Sequence, residues 1–140
     1  MLRLGSNSPT RALILNNAKI DFIQNGGSFD EDSIQTQNPK TFVYEATMGK
    51  YKELFEKYGV DDMPLLVADS VVTSQGKLLR KAKDEKDAKE MLKLQSGSQT
   101  SVITCMIYKS LDIEIIDISI TTYIFTPFEE KHMEEYISSC

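Results

Sequence analysis

Residues 1–11 read MLRLGSNSPTR. Leu2 and Leu4 alternate as in a short strand, and Gly5-Ser6-Asn7-Ser8 ends the alternation at once. Ser8 is a good helix N-cap, and Pro9 falls in the first turn, where a helix tolerates proline best. Ala12, Leu13, Ile14 and Leu15 carry the helix on. The stretch therefore predicts a strand over 2–5, a tight turn, and a helix over 9–18. Free backbone N–H groups at such a helix start point back at the Gly5–Ser8 turn and attract anions, phosphate above all. Arg11, one turn in, can close on a phosphate oxygen. On its own, the stretch also fits an ordinary capped helix with a solvent-exposed arginine.

Working outward, Ile20 to Gln24 reads as a second strand, Asn25-Gly26-Gly27-Ser28 as a turn, and Phe29-Asp30-Glu31-Asp32 as an acidic loop. Asn38-Pro39 repeats the cap-then-proline start, and a long helix follows to about Tyr58, with Gly59 as its C-cap. Pro64 to Ala68 is a buried strand that reaches Asp69 and resumes at Ser70. Ser74-Gln75-Gly76-Lys77 is a hairpin turn. After the basic stretch Arg80-Lys81-Ala82-Lys83, Asp84 caps another helix, with Asp87 placed as in a capping box. Thr100–Tyr108 and Leu111–Phe125 are strand-like. The second run changes parity at Ile115-Ile116, which suggests a bulge or a strand buried on both faces. A short helix follows Pro127. Strands and helices in this order predict an α/β fold, a mixed β-sheet flanked by helices, in a single domain over residues 1–140.

Composition narrows the function. A chain of 140 residues supports one domain with a real core. The net charge of −5 argues against a general nucleic-acid binder and leaves room for a small anion in a local basic pocket. No run is long and apolar enough to cross a bilayer, so no membrane association is expected. Two cysteines are too few for a disulfide scaffold and fit a reducing cytoplasm.

Asp69 interrupts an apolar run. Burying a lone carboxylate costs several kcal/mol, roughly, unless it is paired or binds metal, which predicts a strand end facing a polar cleft. Carboxylates able to hold Mg²⁺, cations able to hold phosphates, and an anion-binding helix start are the parts a nucleoside triphosphate hydrolase needs. No Walker pattern is present. Lys81 and Lys83 are candidate cations, and His132 reads as a surface residue.

The ordered series Gly5-Ser6-Asn7-Ser8-Pro9-Thr10-Arg11, Phe29-Asp30-Glu31, Ala68-Asp69-Ser70-Val71-Val72, Leu79-Arg80-Lys81-Ala82-Lys83-Asp84, Ser96-Gly97 and Thr121-Thr122 resembles the Maf family. These are nucleoside triphosphate pyrophosphatases, also described as septum-formation proteins, with a Maf/ITPase-like architecture. The family pattern runs S-x-S-P-R-R, A-D-T-V-V, G-K-P-x-D and L-S-G. Here Thr10 replaces the first arginine, Arg80 and Ala82 replace the residues flanking Lys81, and Thr100 stands where a histidine is common. Gly49 falls at the position of the family's lysine on the second helix, with Lys50 one residue on. That shift turns a side chain by about 100°.

The resemblance implies hydrolysis between the α- and β-phosphates, giving a nucleoside monophosphate and diphosphate, as a house-cleaning activity on non-standard or pyrimidine nucleotides. It implies Asp69 and Lys81 as catalytic residues and Glu31 with Asp69 as ligands for Mg²⁺ or Mn²⁺. Ser6, Ser8, Arg11, Lys50, Lys81 and Lys83 are the implied substrate-binding residues. The alternative is a weak or inactive nucleotide-binding regulator linked to cell division. The family usually continues past the last helix with an E-P-x-D-K-A-G-like segment. A C-terminally truncated domain is therefore expected, with an uncovered apolar surface and a possible homodimer.

Overall fold

In a computed structural model, residues 1–80 and 82–139 are described. The elements are β1 (Leu2–Leu4), α1 (Pro9–Asn17), β2 (Phe22–Gln24), a 3-10 turn (Glu31–Ser33), α2 (Pro39–Tyr58), β3 (Leu65–Ser74), β4 (Lys77–Leu79), α3 (Glu85–Gln95), β5 (Gln99–Lys109), β6 (Glu114–Ile124) and α4 (Glu130–Ser138). The strands form a six-stranded sheet in the order β2-β1-β3-β5-β6, with β4 paired to β3. It is mixed, as expected. β1 is parallel to β2 (Arg3 opposite Ile23) and to β3 (Leu4 opposite Leu66), whereas β4 is antiparallel to β3.

The chain divides into two compact units. The first comprises Met1–Ser70 and Thr104–Ser119. Its helix starts follow the local chemistry. Ser8 Oγ accepts from the Arg11 N–H and Asn38 Oδ1 from the Thr41 N–H, with proline in the first turn of each helix. Gly59 closes α2 at a positive φ of 63°, a conformation glycine adopts without steric cost. The core joins Leu54 on α2 and Val60 to Leu65 and Val67 on β3, with Tyr51 and Tyr58 packed around them. Each such side chain contributes roughly 1.5–3 kcal/mol when fully buried, so this cluster fixes α2 over β3. Arg3 is buried in β1. Its guanidinium donates to Asn25 Oδ1, meets Asp62 at 3.4 Å, and lies 4.0 Å from the Tyr58 ring centroid, which offsets its desolvation. Cys105 is buried and free, and burial above all raises its thiol pKa, so it is a packing residue.

The second unit comprises Val71–Ile103 and Ile120–Cys140. The β3–β4 hairpin turns through Gln75 and Gly76, both at positive φ, as a two-residue turn matching the strand twist requires. Gln75 Nε2 donates to the Leu94 carbonyl at 2.6 Å, which ties this turn to the end of α3. Asp84 caps α3 by accepting from the Asp87 N–H at 2.8 Å. Lys89 on α3 pairs with Glu130 and Glu134 on α4. His132 is exposed, as expected.

Two expectations are corrected. β3 continues unbroken through residue 69, so Asp69 lies inside a strand rather than at its end. The β6 run is not buried on both faces: all eleven of its residues are exposed. β6 is the last strand of the sheet, so among the described residues neither its outer edge nor its faces are covered. The parity change at Ile115-Ile116 therefore does not record two-sided burial.

Candidate active site

The site is built in the first unit, from four segments. The turn after β1 comes first. Gly5 donates to the Leu66 carbonyl at 2.8 Å, and a Cβ there would lie 2.5 Å from Leu54 Cδ1. Only glycine lets this backbone run so close to the core. Ser6 Oγ accepts from the Ser8 N–H at 3.1 Å and from Arg11 Nη1 at 3.3 Å. Ser6, Ser8 and Arg11 thus form one hydrogen-bonded knot at the start of α1, where backbone N–H groups and the helix dipole favour an anion.

Asp69, from β3, is buried, and its Oδ1 accepts from the Ser70 N–H at 3.0 Å. Arg11 Nη2 stands 4.0 Å from the same oxygen. Lys50, from α2, brings its ammonium 2.7 Å from Glu31 and 3.1 Å from Asp69. Glu31 opens the 3-10 turn that Asp30 caps by accepting from the Asp32 N–H. Burial first, and then the hydrogen bond with Glu31, raise the Asp69 carboxyl above the usual carboxylate range; Lys50 opposes them.

A cavity of about 240 Å³ opens among Gly5, Ser6, Ser8, Arg11, Phe29 and Lys50. Pockets that enclose a drug-sized ligand span roughly 300–1,000 Å³. This one lies just below that range, and its serine hydroxyls, Arg11 and Lys50 suit it to phosphate groups.

The structure therefore brings together Ser6, Ser8, Arg11, Glu31, Lys50 and Asp69. Lys50 reaches the carboxylates despite its one-residue offset on α2, because a lysine has a long flexible stem. Lys83 belongs to the second unit, where it is exposed and its N–H donates to Asp87 at 3.0 Å. Lys81 lies outside the described residues.

Among the described residues no three His, Cys, Asp or Glu side chains gather as a metal cage. A hard cation such as Mg²⁺ does not need one. It binds through one or two carboxylates and completes its shell with water and phosphate oxygens. Glu31 and Asp69 fit that role, since both face the point the Lys50 ammonium holds and both already bind a positive charge there.

Sequence reasoning missed how the Glu31 loop is held. Gly49 reads in the sequence as a lost lysine. In the structure it is the floor under Phe29, whose ring atoms lie 2.3 Å from where a Cβ would stand. Glycine in a helix interior costs about 1 kcal/mol relative to alanine, and that cost was the available signal that packing required it. Glu53 was also overlooked; it accepts from the Ser28 N–H at 2.7 Å.

Comparison with known proteins adds to this geometry. The family description "Maf-like protein" matches residues 1–140. The chain is 43% identical over 141 residues to the nucleoside triphosphate pyrophosphatase of a Nitratiruptor species, covering 99% of this chain and 76% of that protein. It is 38% identical over 138 residues to the protein of the same name from Helicobacter pylori (strain Shi470), covering 99% and 72%. It is 36% identical over 141 residues to that of Campylobacter jejuni subsp. doylei, covering 99% and 77%.

Proposed function

This chain belongs to the Maf-like family, and from that premise we propose that it is a nucleoside triphosphate pyrophosphatase with a house-cleaning role. It adds water across the α–β phosphoanhydride bond, yielding a nucleoside monophosphate and diphosphate. The observation that carries this reading is the convergence of Arg11, Lys50, Glu31 and Asp69 beside the Ser6–Ser8 turn.

The α1 start and Arg11 bind the phosphates through N–H groups and a guanidinium, charge-assisted contacts that strengthen as negative charge builds up on the leaving diphosphate. Asp69, buried beside the Ser6–Ser8 turn and paired with Lys50, is the residue that orients the attacking water and accepts its proton. Lys50 holds Glu31 and Asp69 in one geometry, and its flexible stem lets the ammonium turn to phosphate oxygens where a cation takes its place between the two carboxylates. Lys81 and Lys83 are further candidate phosphate-binding cations, by their match to the family pattern. Glu31 and Asp69 would hold a divalent cation, Mg²⁺ or Mn²⁺, which supplies charge neutralisation on the phosphates.

The substrate is a small nucleotide, and the reading names pyrimidine or non-standard nucleoside triphosphates within that class. No described helix is long and apolar enough to cross a membrane. A cytoplasmic location fits this activity, and the exposed β6 makes a homodimer the natural assembly to test.

The test is diphosphate release from a panel of standard and modified nucleoside triphosphates with Mg²⁺ or Mn²⁺. The expected result is metal-dependent release, abolished in Asp69→Asn. Binding of triphosphate without any release would instead make the chain a nucleotide-binding regulator.

A further inference from the structure

Four residues, 25–28, lead from β2 to Phe29 without regular structure, yet the loop they begin must deliver Glu31 to the site. Such a segment holds one conformation only if side chains fix it. Three attachments come from one face of α2. Gly49 receives the Phe29 ring. Lys50 pairs with Glu31 at 2.7 Å. Glu53 Oε1 accepts from both the Ser28 N–H at 2.7 Å and the Ser28 Oγ at 3.2 Å. Residues 49, 50 and 53 share that face because positions three and four apart on a helix are neighbours. The close approach is specific. A Cβ on Gly27 would lie 2.8 Å from Glu53 Oε1, so glycine at 27 leaves the carboxylate room to approach the loop.

Of these three contacts, the Phe29 packing and the Lys50 pair are adjacent to the chemistry. Glu53 is not among the cavity-lining residues and touches none of Ser6, Arg11 or Asp69 in any described contact. We propose that Glu53 is a positioning residue. By clamping the Ser28 backbone onto α2, it fixes the origin of the Phe29–Glu31 segment and so sets where the Glu31 carboxylate stands for a divalent cation. This rests on the assignment of Glu31 and Asp69 as the cation's ligands. Groups hydrogen-bonded directly to a metal ligand change metal affinity or activity by about 10–100-fold when removed, and Glu53, one link further out, is expected at the low end of that range. An exposed carboxylate that merely decorated the helix surface would change neither.

The experiment uses the full chain and three variants: Glu53→Ala, Glu53→Gln and Ser28→Ala. Mn²⁺ binding is measured by calorimetry without nucleotide, amide hydrogen exchange is followed over residues 28–31, and thermal unfolding is recorded alongside. Glu53→Ala is expected to speed exchange at Ser28 and through Glu31 and to weaken Mn²⁺ binding about tenfold. Glu53→Gln keeps one acceptor oxygen and is expected to restore most of both. Ser28→Ala removes only the hydroxyl contact and is expected to change Mn²⁺ binding less than about twofold, because the backbone N–H bond to Glu53 remains.

Faster loop exchange with unchanged Mn²⁺ affinity in Glu53→Ala would overturn the positioning role. So would weakened binding that follows a general loss of thermal stability and is equal in Glu53→Gln. Wild-type protein that binds no Mn²⁺ would overturn the assignment of Glu31 and Asp69, and the role of Glu53 with it. Failure of Glu53→Ala alone, against a wild type that binds, would leave that assignment standing.

Discussion

Replacing Gly49 by alanine sets two effects of known size against each other. In an exposed helix interior the change stabilises by about 1 kcal/mol, because glycine loses more backbone freedom on folding. Here the new Cβ would lie 2.3 Å from Phe29 Cε2 and Cζ. Carbon atoms rest at roughly 3.5–4.0 Å, so the ring must retreat by about 1.2–1.7 Å. Forcing a methyl group into packed space costs roughly 1–3 kcal/mol. The net effect is a destabilisation of about 0–2 kcal/mol, small because Phe29 is only half-buried and can swing outward. The functional effect is expected to be larger. Phe29 is two residues from Glu31, so the part of the retreat that the ring's rotation does not absorb is passed to the loop and lengthens the Glu31–Lys50 contact of 2.7 Å. A misplacement of about 1 Å can cost 10²-fold in rate. Urea unfolding and metal-dependent diphosphate release, measured on the same preparation, separate the two. A variant more stable than wild type by about 1 kcal/mol, with unchanged kcat and metal dependence, would refute the packing of Phe29 on Gly49.

Asp69→Asn is expected to gain stability relative to wild type as pH rises, with divalent cations chelated. The raised pKa means that the fold favours the protonated acid. The stability this group contributes is complete below its unfolded pKa of roughly 4 and is lost as pH rises through the raised folded value. Urea midpoints on the acid side of that value and near neutrality check this, and an unchanged gap between variant and wild type would count against it. On β6, Ile116 and Ile118 are 44% and 41% exposed, on an edge strand that carries neither lysine nor proline. The double change Ile116→Lys, Ile118→Lys is expected to reduce concentration-dependent association in light scattering while moving the unfolding midpoint little. Association unchanged by the two lysines would place the self-contact elsewhere.

Much of this protein was legible from short-range chemistry. Ser8-Pro9, Asn38-Pro39, Gly59, Gln75-Gly76 and Asp84 announce helix ends and a hairpin within a few residues, because caps and turns are satisfied by neighbours in sequence. By residue type the Gly5–Arg11 turn and Asp69 marked out the proposed phosphate-and-cation site, though the turn alone fitted an ordinary capped helix as well. Only the tertiary structure decided how that site is assembled. A helical offset of one residue set Lys50 aside from the family pattern, yet the packing of Leu54 on Leu65 and Val67 brings α2 close enough for its ammonium to reach two carboxylates. Asp69 lies within β3 rather than at its end because Lys50 and the Ser70 N–H meet its charge where it stands. The parity change in β6 left a bulge or two-sided burial open, and burial depends on what lies against a strand, which the strand's own residues do not specify. Gly49 and Glu53 show the same limit: the meaning of each resides in a loop 20 or more residues away, brought alongside only by the fold.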